Sequence, residues 1–314
     1  MQALTYSRFG SADCLQLTEL DAPHPRAGQV LVQVAAAGLN PIDVKTRAGK
    51  GFVAQQLGHR FRFVPGYDLA GTLLQGSDRL PAGAAVIGMV GFPLAAGACA
   101  QVCAVDPPAL VAAPGNLPLA EAAGLPLAGL TAWQGLFQHG ALQPGQRLLV
   151  LAGAGGVGHL AVQLGVWAGA SVGATASAGN HPFLSRLGVS QCMDYRVPGH
   201  LAGAGQWDLI LDLVGGNTGR DALPYLAPTG LMLTVPTITA AELTAAGEAQ
   251  GKRVLGYTVQ PNREHLQQLV ALVEAGSLRL HISRRFPLDQ AAEAHRLLES
   301  GHVNGKVILE MPLG

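Results

Sequence analysis

Short apolar runs separated by glycine and proline fill the first third of the chain. Runs of this length, bounded by turn residues, predict β-strands of a small barrel or sandwich. The chain therefore opens with a β-rich domain. The runs are LTEL, QVLVQVAAAG, DLAGTLL, AAVIGMV and CAQVCAV.

The pattern changes near Ala120, where EAAGLPLAGLTAWQGLFQHG places apolar residues at helical spacing. After the turn signal Pro144-Gly145, RLLVLAG predicts a buried strand and residues 156–167 predict a helix. The alternation of strand and helix then repeats, which predicts a parallel, doubly wound, Rossmann-like sheet. The further predicted strands are 171–175, 191–193, 208–211 and 231–234.

The last part of the chain returns to a mixed pattern, with predicted helices at 262–274 and 288–299 and a final strand KVILEM. At 314 residues the chain exceeds one compact core, so two domains are expected. We predict an α/β protein in which residues 1–123 and 261–314 form the β-rich domain and residues 124–260 the Rossmann-like domain. The cleft between the domains is the expected site.

Composition excludes several classes of partner. Lysine plus arginine (20) balance aspartate plus glutamate (20), so no long-range field favours nucleic acid or anionic lipid. Residues 80–105 carry no charge, but prolines and glycines interrupt them, which favours buried strands over a membrane span. The N-terminal MQALTYSRFG has no secretory pattern, so we expect a cytoplasmic protein. The four cysteines lack zinc-ligand spacing, and no metal site is expected.

A glycine-rich turn follows the first strand of the Rossmann-like region. The sequence AGAGGVG satisfies GxGxxG between a predicted strand and a predicted helix. Glycines at these places let the backbone approach a pyrophosphate at the positive helix end. Ordinary turn glycines are the alternative for an isolated match, but the strand-turn-helix context favours dinucleotide binding. The predicted binding residues are Gly153, Ala154, Gly155, Gly156, Val157 and Gly158.

The end of the second Rossmann strand favours NADPH over NADH. NAD-preferring folds place an acid there, whereas residues 159–193 contain no Asp or Glu. A carboxylate about 4 Å from a 2′-phosphate would cost on the order of 4 kcal/mol. Ser177, Asn180 and His181 are candidate donors to that phosphate, with a polar helix cap as the alternative. Arg186 is expected to be a solvated helix residue.

Six motifs in order resemble the quinone oxidoreductase branch of the medium-chain dehydrogenases. The resemblance covers nearly the whole chain and implies a GroES-like catalytic domain interrupted by a Rossmann domain. The motifs are VAAAGLNPIDVKTRAG, PGYDLAG, LPLAGLTAW, AGAGGVG, DLILDLVGG and GHVNGKVIL.

The resemblance implies roles for individual residues. Asn40 and Thr131 would line the nicotinamide site, with an N-cap or turn as the alternative role for Asn40. Tyr67 is a candidate proton donor, although packing explains it and Tyr257 equally well. Residues 50–63, with His59, Arg60 and Arg62, match no interpretable pattern and are where we expect acceptor specificity. The other implied cofactor residues are Tyr195, Leu213, Val214, Val235, Pro236, Gly256, Tyr257, Asn304, Gly305 and Lys306, the last as a phosphate partner.

The resemblance also bears on the reaction. Zinc alcohol dehydrogenases of the superfamily have a Cys after the first glycine motif and a GHE sequence, but here those places hold Asn40 and Gly66-Tyr67-Asp68. A zinc-free NADPH-dependent reductase acting on a quinone is therefore expected. The alternatives are an alkenal or enone reductase and a non-catalytic NADPH-binding protein. The resemblance admits a homodimer, although composition marks no interface.

Overall fold

The computed structural model describes residues 1–58 and 61–312, and the chain divides into two compact units. Unit 1 comprises Met1–Leu130, Gln260–Gly276 and Leu280–Gly314, and unit 2 comprises Thr131–Val259 and Ser277–Arg279. The division between them therefore falls at Leu130, against position 123 expected from the sequence, and at Val259, against 260.

Strands are the main framework of both units. They are β1 (Gln2–Thr5), β2 (Gln16–Glu19), β3 (Val30–Leu39), β4 (Asp68–Leu73), β5 (Ala85–Met89), β6 (Val102–Val105), β7 (Leu110–Ala112), β8 (Arg147–Leu151), β9 (Ser171–Ala176), β10 (Gln191–Asp194), β11 (Trp207–Asp212), β12 (Leu226–Thr234), β13 (Arg253–Gly256), β14 (Ile282–Pro287) and β15 (Lys306–Glu310).

The helices are short. In the described part of the chain, none combines the length and apolarity that crossing a bilayer requires. They are α1 (Pro41–Arg47), α2 (Gly51–Leu57), α3 (Leu119–Ala122), α4 (Pro126–Trp133), α5 (Gly158–Trp167), α6 (His181–Arg186), α7 (Gly216–Ala222), α8 (Ala240–Glu248), α9 (Arg263–Glu274) and α10 (Ala291–Glu299).

Unit 2 is built on a six-stranded sheet with the order β10-β9-β8-β11-β12-β13. Every pairing in this sheet is parallel, which confirms the predicted doubly wound fold. The apolar run of β8 is buried from Leu148 to Leu151, as expected for a strand covered on both faces. The strand order changes direction between β8 and β11, and such a switch point is where open α/β sheets bind ligands.

Unit 1 contains a seven-stranded sheet with the order β14-β15-β3-β4-β5-β7, in which β6 also pairs with β3. The strand β15, from the last residues of the sequence, pairs antiparallel with β3, where Val307 lies opposite Leu39. Along β3 the side chains of Val30, Val32 and Val34 are buried and pack into the core. The tail of the chain therefore completes the sheet that its first strands begin.

The segment predicted to form a helix at residues 121–140 is broken. It forms α3, then α4, then a π-helical segment Gln134–His139. The break lies at Gly124, where a Cβ would come within 2.9 Å of Ile282 Cδ1. Pro126 then starts α4, since proline is favoured in the first turn of a helix but not inside one. The prediction of one continuous helix was wrong because Pro126 has no N–H to donate and its ring would clash with the preceding turn, so the helix restarts there.

The core of unit 1 contains a buried histidine, His295 on α10, next to the buried guanidinium of Arg47. Arg47 is paired with Glu299, whereas neither ring nitrogen of His295 has a hydrogen-bond partner among the residues described. Burial first, and then the charge of Arg47, lower the pKa of His295 to about 3. The imidazole is therefore neutral at neutral pH.

We expect His295 to make the protein less stable in mild acid. The unfolded pKa is near 6.5 and the folded pKa is about 3, so the unfolded state binds the extra proton as the pH falls below 6.5. Between pH 6.5 and 5 this should remove about 2 kcal/mol of unfolding free energy. Urea denaturation at several pH values measures it. His295→Leu should lose this pH dependence and the exposed His302→Leu should keep it; equal slopes in both variants would contradict the assignment.

Candidate functional site

The turn between β8 and α5 depends on small side chains. A Cβ on Gly158 would lie 2.1 Å from the carbonyl oxygen of Ala152, and one on Gly153 would lie 2.6 Å from Ala174 Cβ. Ala152 itself has a φ of 61°, a left-handed conformation that few non-glycine residues adopt. Its N–H donates to Thr175 Oγ1 at 3.0 Å. The turn is thus held tightly against β9.

The same turn leaves open space beside Gly155, whose own N–H donates to the Ala152 carbonyl at 3.1 Å. A Cβ on Gly155 would meet no heavy atom closer than 3.4 Å, so packing within the protein does not require glycine there. The helix α5 begins at Gly158, and from His159 onward its N–H groups already bond to backbone carbonyls, so the N–H groups that a ligand would use are those before His159. Open space beside a positive helix end suits a pyrophosphate. The predicted Ala154, Gly156 and Val157 lie in this turn.

The predicted 2′-phosphate donors lie in the turn after β9. Asn180 Nδ2 donates to Ser177 Oγ at 3.1 Å, and His181 Nε2 lies 3.3 Å from the carbonyl oxygen of Ala176. These side chains therefore bond within the turn. Ser177 and Asn180 stand at helix N-caps but make no side-chain cap bond, so the polar cap that the sequence left as the alternative is not formed by them. Arg186 is exposed, as expected.

Sequence reasoning missed Asp194, which borders this turn. The parallel pairing of β10 with β9 places Asp194 beside Ala176, and its Oδ2 accepts from the Ala178 N–H at 3.2 Å. Its Oδ1 accepts from the Arg196 N–H at 2.9 Å. The available signal was an acid directly after a strand and next to Tyr195, but the pairing of the two strands is not visible in residue spacing. Tyr195 is exposed, and the guanidinium of Arg196 lies 5.8 Å from its ring centroid.

A second carboxylate, Asp212, organises the end of β11. Its Oδ1 accepts from the N–H groups of Val214 and Gly215 at 2.9 and 2.8 Å. Its Oδ2 accepts from the Thr234 hydroxyl at 2.8 Å. The carboxylate therefore fixes the turn that presents Leu213 and the exposed Val214, and it ties that turn to β12.

Tyr257, directly after β13, is a packing residue. Its hydroxyl donates to the Thr131 carbonyl at 2.8 Å, and its ring lies 4.8 Å from that of His139. Burial raises the pKa of Tyr257 above its usual value. Of the two roles left open by the sequence, these contacts favour packing over proton donation.

The predicted cofactor residues of unit 2 gather at one edge of its sheet. The strands are parallel, so their carboxyl ends lie along the same edge, where such folds bind ligands. The structure brings to this edge the glycine turn after β8 and the turns after β9, β11, β12 and β13. The last two contribute Val235, Pro236, Gly256 and Tyr257.

In unit 1, Asn40 lies in a buried polar network. Its Nδ2 donates to Asp68 Oδ2 at 2.8 Å and to the Gly38 carbonyl at 3.3 Å. Its Oδ1 accepts from Lys306 Nζ, and its N–H donates to Asp43 Oδ2 at 2.8 Å. The amide is therefore oriented by both of its ends, and Asn40 also precedes α1, as the alternative cap role requires.

Lys306 contributes an internal ammonium to this network. Besides Asn40, Nζ donates to the Leu39 carbonyl at 2.9 Å and to Asp68 Oδ2 at 3.4 Å. Asp68 Oδ1 in turn accepts from the Leu127 N–H at 2.6 Å, at the start of α4. Burial lowers the pKa of Lys306 and raises that of Asp68, and each partly offsets the shift of the other. The Lys306 ammonium thus binds groups inside unit 1, whereas the resemblance suggested that it would bind a phosphate.

Asp43, the second buried carboxyl of this network, accepts from the N–H groups of Asn40 and Gly66, at 2.8 and 3.2 Å. Burial raises its pKa to about 7. The side chain holds the start of α1 against the loop before β4. The expectation that Asp43 stabilises local structure agrees with these contacts.

Tyr67 is fully buried. Its hydroxyl donates to the Pro93 carbonyl at 2.8 Å, and its ring packs edge-on against Phe92 with centroids 5.4 Å apart. Burial, and then the charge of Asp43, raise the pKa of Tyr67 above its usual value. A buried hydroxyl that already donates its proton to a carbonyl is poorly placed to give it to a substrate.

The remaining predicted residues of unit 1 lie in two loops. Gly305 has a φ of 67°, and a Cβ there would come within 2.2 Å of the His281 carbonyl oxygen, so only glycine fits beside Asn304. In the 50–63 segment α2 is formed and Arg62 is exposed. His59 and Arg60 lie outside the described residues.

The polar network does not fit a zinc ion. The resemblance puts the Cys and His ligands of zinc at the places of Asn40 and Tyr67, and Asp68 follows Tyr67. The Asn40 amide and the Asp68 carboxylate are both bonded to the Lys306 ammonium. An amide and a carboxylate already paired with a cation lack the thiolate and imidazole ligands typical of zinc. Throughout residues 1–58 and 61–312, no group of three or more His, Cys, Asp or Glu side chains is arranged to hold a metal ion.

Two family models match the chain. The alcohol dehydrogenase GroES-like domain matches residues 26–152, and the zinc-binding dehydrogenase domain matches residues 187–309. The first covers β3 to β8, and the second covers β10 to all but the last residue of β15.

Individual proteins are similar over almost the whole chain. The 2-methylene-furan-3-one reductase of Solanum lycopersicum is 34% identical over 98% of this chain and 79% of its own length. The chloroplastic NADPH-dependent alkenal/one oxidoreductase of Arabidopsis thaliana is 32% identical over 98% of this chain and 79% of its own. The solved quinone oxidoreductase of Coxiella burnetii is 40% identical, with a TM-score of 0.95 over 99% of both chains.

Proposed function

Because this chain belongs to the quinone oxidoreductase branch of the medium-chain dehydrogenase/reductase superfamily, we propose that it is a zinc-independent reductase. It transfers a hydride from NADPH to a small electrophilic acceptor, in the first place a quinone. The observation that carries the proposal is the glycine turn at the carboxyl edge of a parallel sheet, with open space beside Gly155 and a helix that begins at Gly158.

Zinc independence is supported by Lys306. The ammonium supplies the positive charge that Asn40 and Asp68 face, so no metal is needed to balance the buried carboxylate. A quinone or conjugated enone accepts hydride as a delocalised anion, and such an acceptor needs no Lewis acid to stabilise an alkoxide.

NADPH is the proposed cofactor, and it would supply the hydride when bound. The lack of any acidic residue at positions 159–193 supports this choice, as does the name of the NADPH-dependent relative. The turn at residues 153–158 would hold the pyrophosphate, and Ser177, Asn180 and His181 would face the adenosine ribose. The other proposed contacts are Tyr195, Leu213, Val214, Val235, Pro236, Gly256, Tyr257, Asn304 and Gly305.

The chain's own residues then act mainly by positioning. Asp212 holds the Leu213-Val214 turn, and the Lys306 contact fixes the orientation of the Asn40 amide. We place Asn40 and Thr131 at the nicotinamide. Reduction of a quinone by hydride leaves a phenolate, which takes its proton from solvent, so acid catalysis contributes little.

A direct assay tests the proposal. Purified protein is mixed with NADPH or NADH and 1,4-benzoquinone or but-3-en-2-one, with and without EDTA, and loss of nicotinamide absorbance is followed. Chelator-insensitive oxidation of NADPH by the quinone supports the proposal. Preference for the enone favours the alkenal/enone reductase, to which the names of two relatives point. Inhibition by EDTA contradicts zinc independence, and NADPH binding without turnover favours a binding protein.

Replacing Tyr67 by phenylalanine tests whether a side chain supplies the proton. We expect the turnover number to fall by less than about fivefold, since the lost bond to Pro93 is worth about 1 kcal/mol and no proton path is removed. Stopped-flow single turnover separates the chemical step from product release. Tyr225→Phe, in unit 2, serves as the matched control. A near-complete loss of turnover with intact NADPH binding would show that Tyr67 is essential.

A cytoplasmic location and a homodimer remain part of this proposal. The name of one relative carries the word chloroplastic, so fractionation of cells is needed to test the location. Sedimentation of the purified chain tests the homodimer.

A further inference from the structure

The carboxylate of Asp194 borders the turn after β9, and NAD-preferring folds usually carry an acid at the end of that strand itself. The carboxyl end of β9 itself carries no acid. Because β10 lies parallel to β9 with Asp194 beside Ala176, a carboxylate from the neighbouring strand reaches the same turn. It accepts from the Ala178 N–H, one residue beyond Ser177.

This carboxylate is held in place and stays charged. Two backbone N–H groups, those of Ala178 and Arg196, donate to its two oxygens, at 3.2 and 2.9 Å. The Arg196 N–H is the main cause that holds the pKa of Asp194 below its usual range, and the charges of Arg196 and His181 act in the same direction. Asp194 therefore carries a negative charge at neutral pH.

We propose that Asp194 is a specificity-determining residue for the cofactor. Its carboxylate weakens binding of a 2′-phosphate, and it therefore reduces the preference of the protein for NADPH over NADH. This inference rests on the proposed function, which places the adenosine ribose at the turn after β9. The negative charge of Asp194 would repel the negative charge of the 2′-phosphate at the protein surface. NADH has a 2′-hydroxyl instead, which can donate to a carboxylate.

The sequence on either side of Ser177 supplies no lysine or arginine to oppose this repulsion. The guanidinium of Arg196 lies over the ring of Tyr195. Hydrogen bonds from Ser177, Asn180 and His181, together with the charge of Arg196, would attract the phosphate against the charge of Asp194. The cofactor preference is thus set by attraction from the donors after β9 and by repulsion from Asp194. The residues of β9 and its turn indicate only the attraction.

The test compares binding of 2′,5′-ADP and 5′-AMP by calorimetry, because these probes differ only in the 2′-phosphate and need no turnover. Asp194→Asn should shift the ratio of the two dissociation constants at least about tenfold towards 2′,5′-ADP at low salt. High salt should reduce this shift. Asp194→Glu, which keeps the charge, should leave the ratio within about threefold of wild type.

Asp208→Asn is the matched control. Asp208 also lies on the unit 2 sheet, and its Oδ2 accepts from the Arg147 N–H at 2.8 Å, but at the amino end of β11. The Asp208→Asn variant loses the same charge and the same kind of backbone hydrogen bond as Asp194→Asn. Its ratio of the dissociation constants for 2′,5′-ADP and 5′-AMP should equal that of wild type.

The outcomes separate the inference from the proposed function. If wild type binds both probes and Asp194→Asn leaves their ratio unchanged, the inference is overturned and the proposed function stands. If Asp194→Asn weakens both probes equally, Asp194 only stabilises the turn, and the inference is again overturned. If wild type binds neither probe and neither NADPH nor NADH, both are overturned.

Discussion

Replacing Gly158 by alanine should weaken NADPH binding by at least about a hundredfold. The new Cβ would lie 2.1 Å from the Ala152 carbonyl oxygen and 2.8 Å from backbone atoms of Gly153. Backbone cannot move aside like a flexible side chain, so α5 must shift away from the turn that would hold the pyrophosphate. Overpacking of this kind costs on the order of 3 kcal/mol of unfolding free energy. Fluorescence titration and urea denaturation measure the two effects.

Substitutions at two other glycines of unit 2 distinguish an effect on stability from an effect on NADPH binding. Gly155→Ala meets no atom closer than 3.4 Å and needs no left-handed backbone, so stability should stay within about 0.5 kcal/mol. Its Cβ would nevertheless stand where the proposed pyrophosphate would approach, and NADPH binding should weaken about tenfold or more. Gly179→Ala, with nothing within 4 Å, is the control for stability. If Gly155→Ala binds NADPH as tightly as wild type does, the proposal that this turn binds the pyrophosphate is contradicted.

Replacing Lys306 by methionine should destabilise the protein by about 3–5 kcal/mol. The ammonium is buried with Asp68 and Asn40, and its loss leaves a buried carboxylate without its cation. The double variant Lys306→Met with Asp68→Asn should recover part of that loss, because no unpaired charge then remains. Urea denaturation of the single and double variants gives the coupling free energy.

An exposed ion pair provides the comparison for Lys306. Arg220 and Glu242 lie 3.4 Å apart at the surface of unit 2, and Arg220→Met should change stability by less than about 0.5 kcal/mol. A Lys306→Met variant as stable as wild type would show that the buried network is not needed to hold unit 1 together. A double variant no more stable than Lys306→Met would show that Asp68 does not depend on this cation.

Local patterns predicted the elements that local physics determines. The strand β8, the glycine turn and α5 follow one another in the sequence, so residue spacing alone indicated them, and α5 begins at Gly158 within two residues of the expected start. The helix α9, predicted at residues 262–274, begins at Arg263 and ends at Glu274. Its buried Leu266, Leu269 and Val270 show the three-to-four-residue spacing that revealed it.

Features that depend on distant contacts were not predictable in this way. The side chain of Lys306 bonds to Asn40 across a separation of 266 residues, so its internal role has no local signature. Asp194 reaches the turn after β9 only through strand pairing. The resemblance supplied the motif positions, but the direction in which each side chain points came from the structure.

The closure of the unit 1 sheet by β15 has a consequence for how the chain folds during synthesis. Unit 2 is almost continuous from Thr131 to Val259, so its strands can pair as soon as they leave the ribosome. In contrast, the edge of β3 at Leu39 stays unpaired until Val307 of β15 has been synthesised. An apolar edge exposed for that long invites pairing with another chain. We therefore expect nascent chains stalled before β15 to aggregate through unit 1 while unit 2 is already resistant to protease.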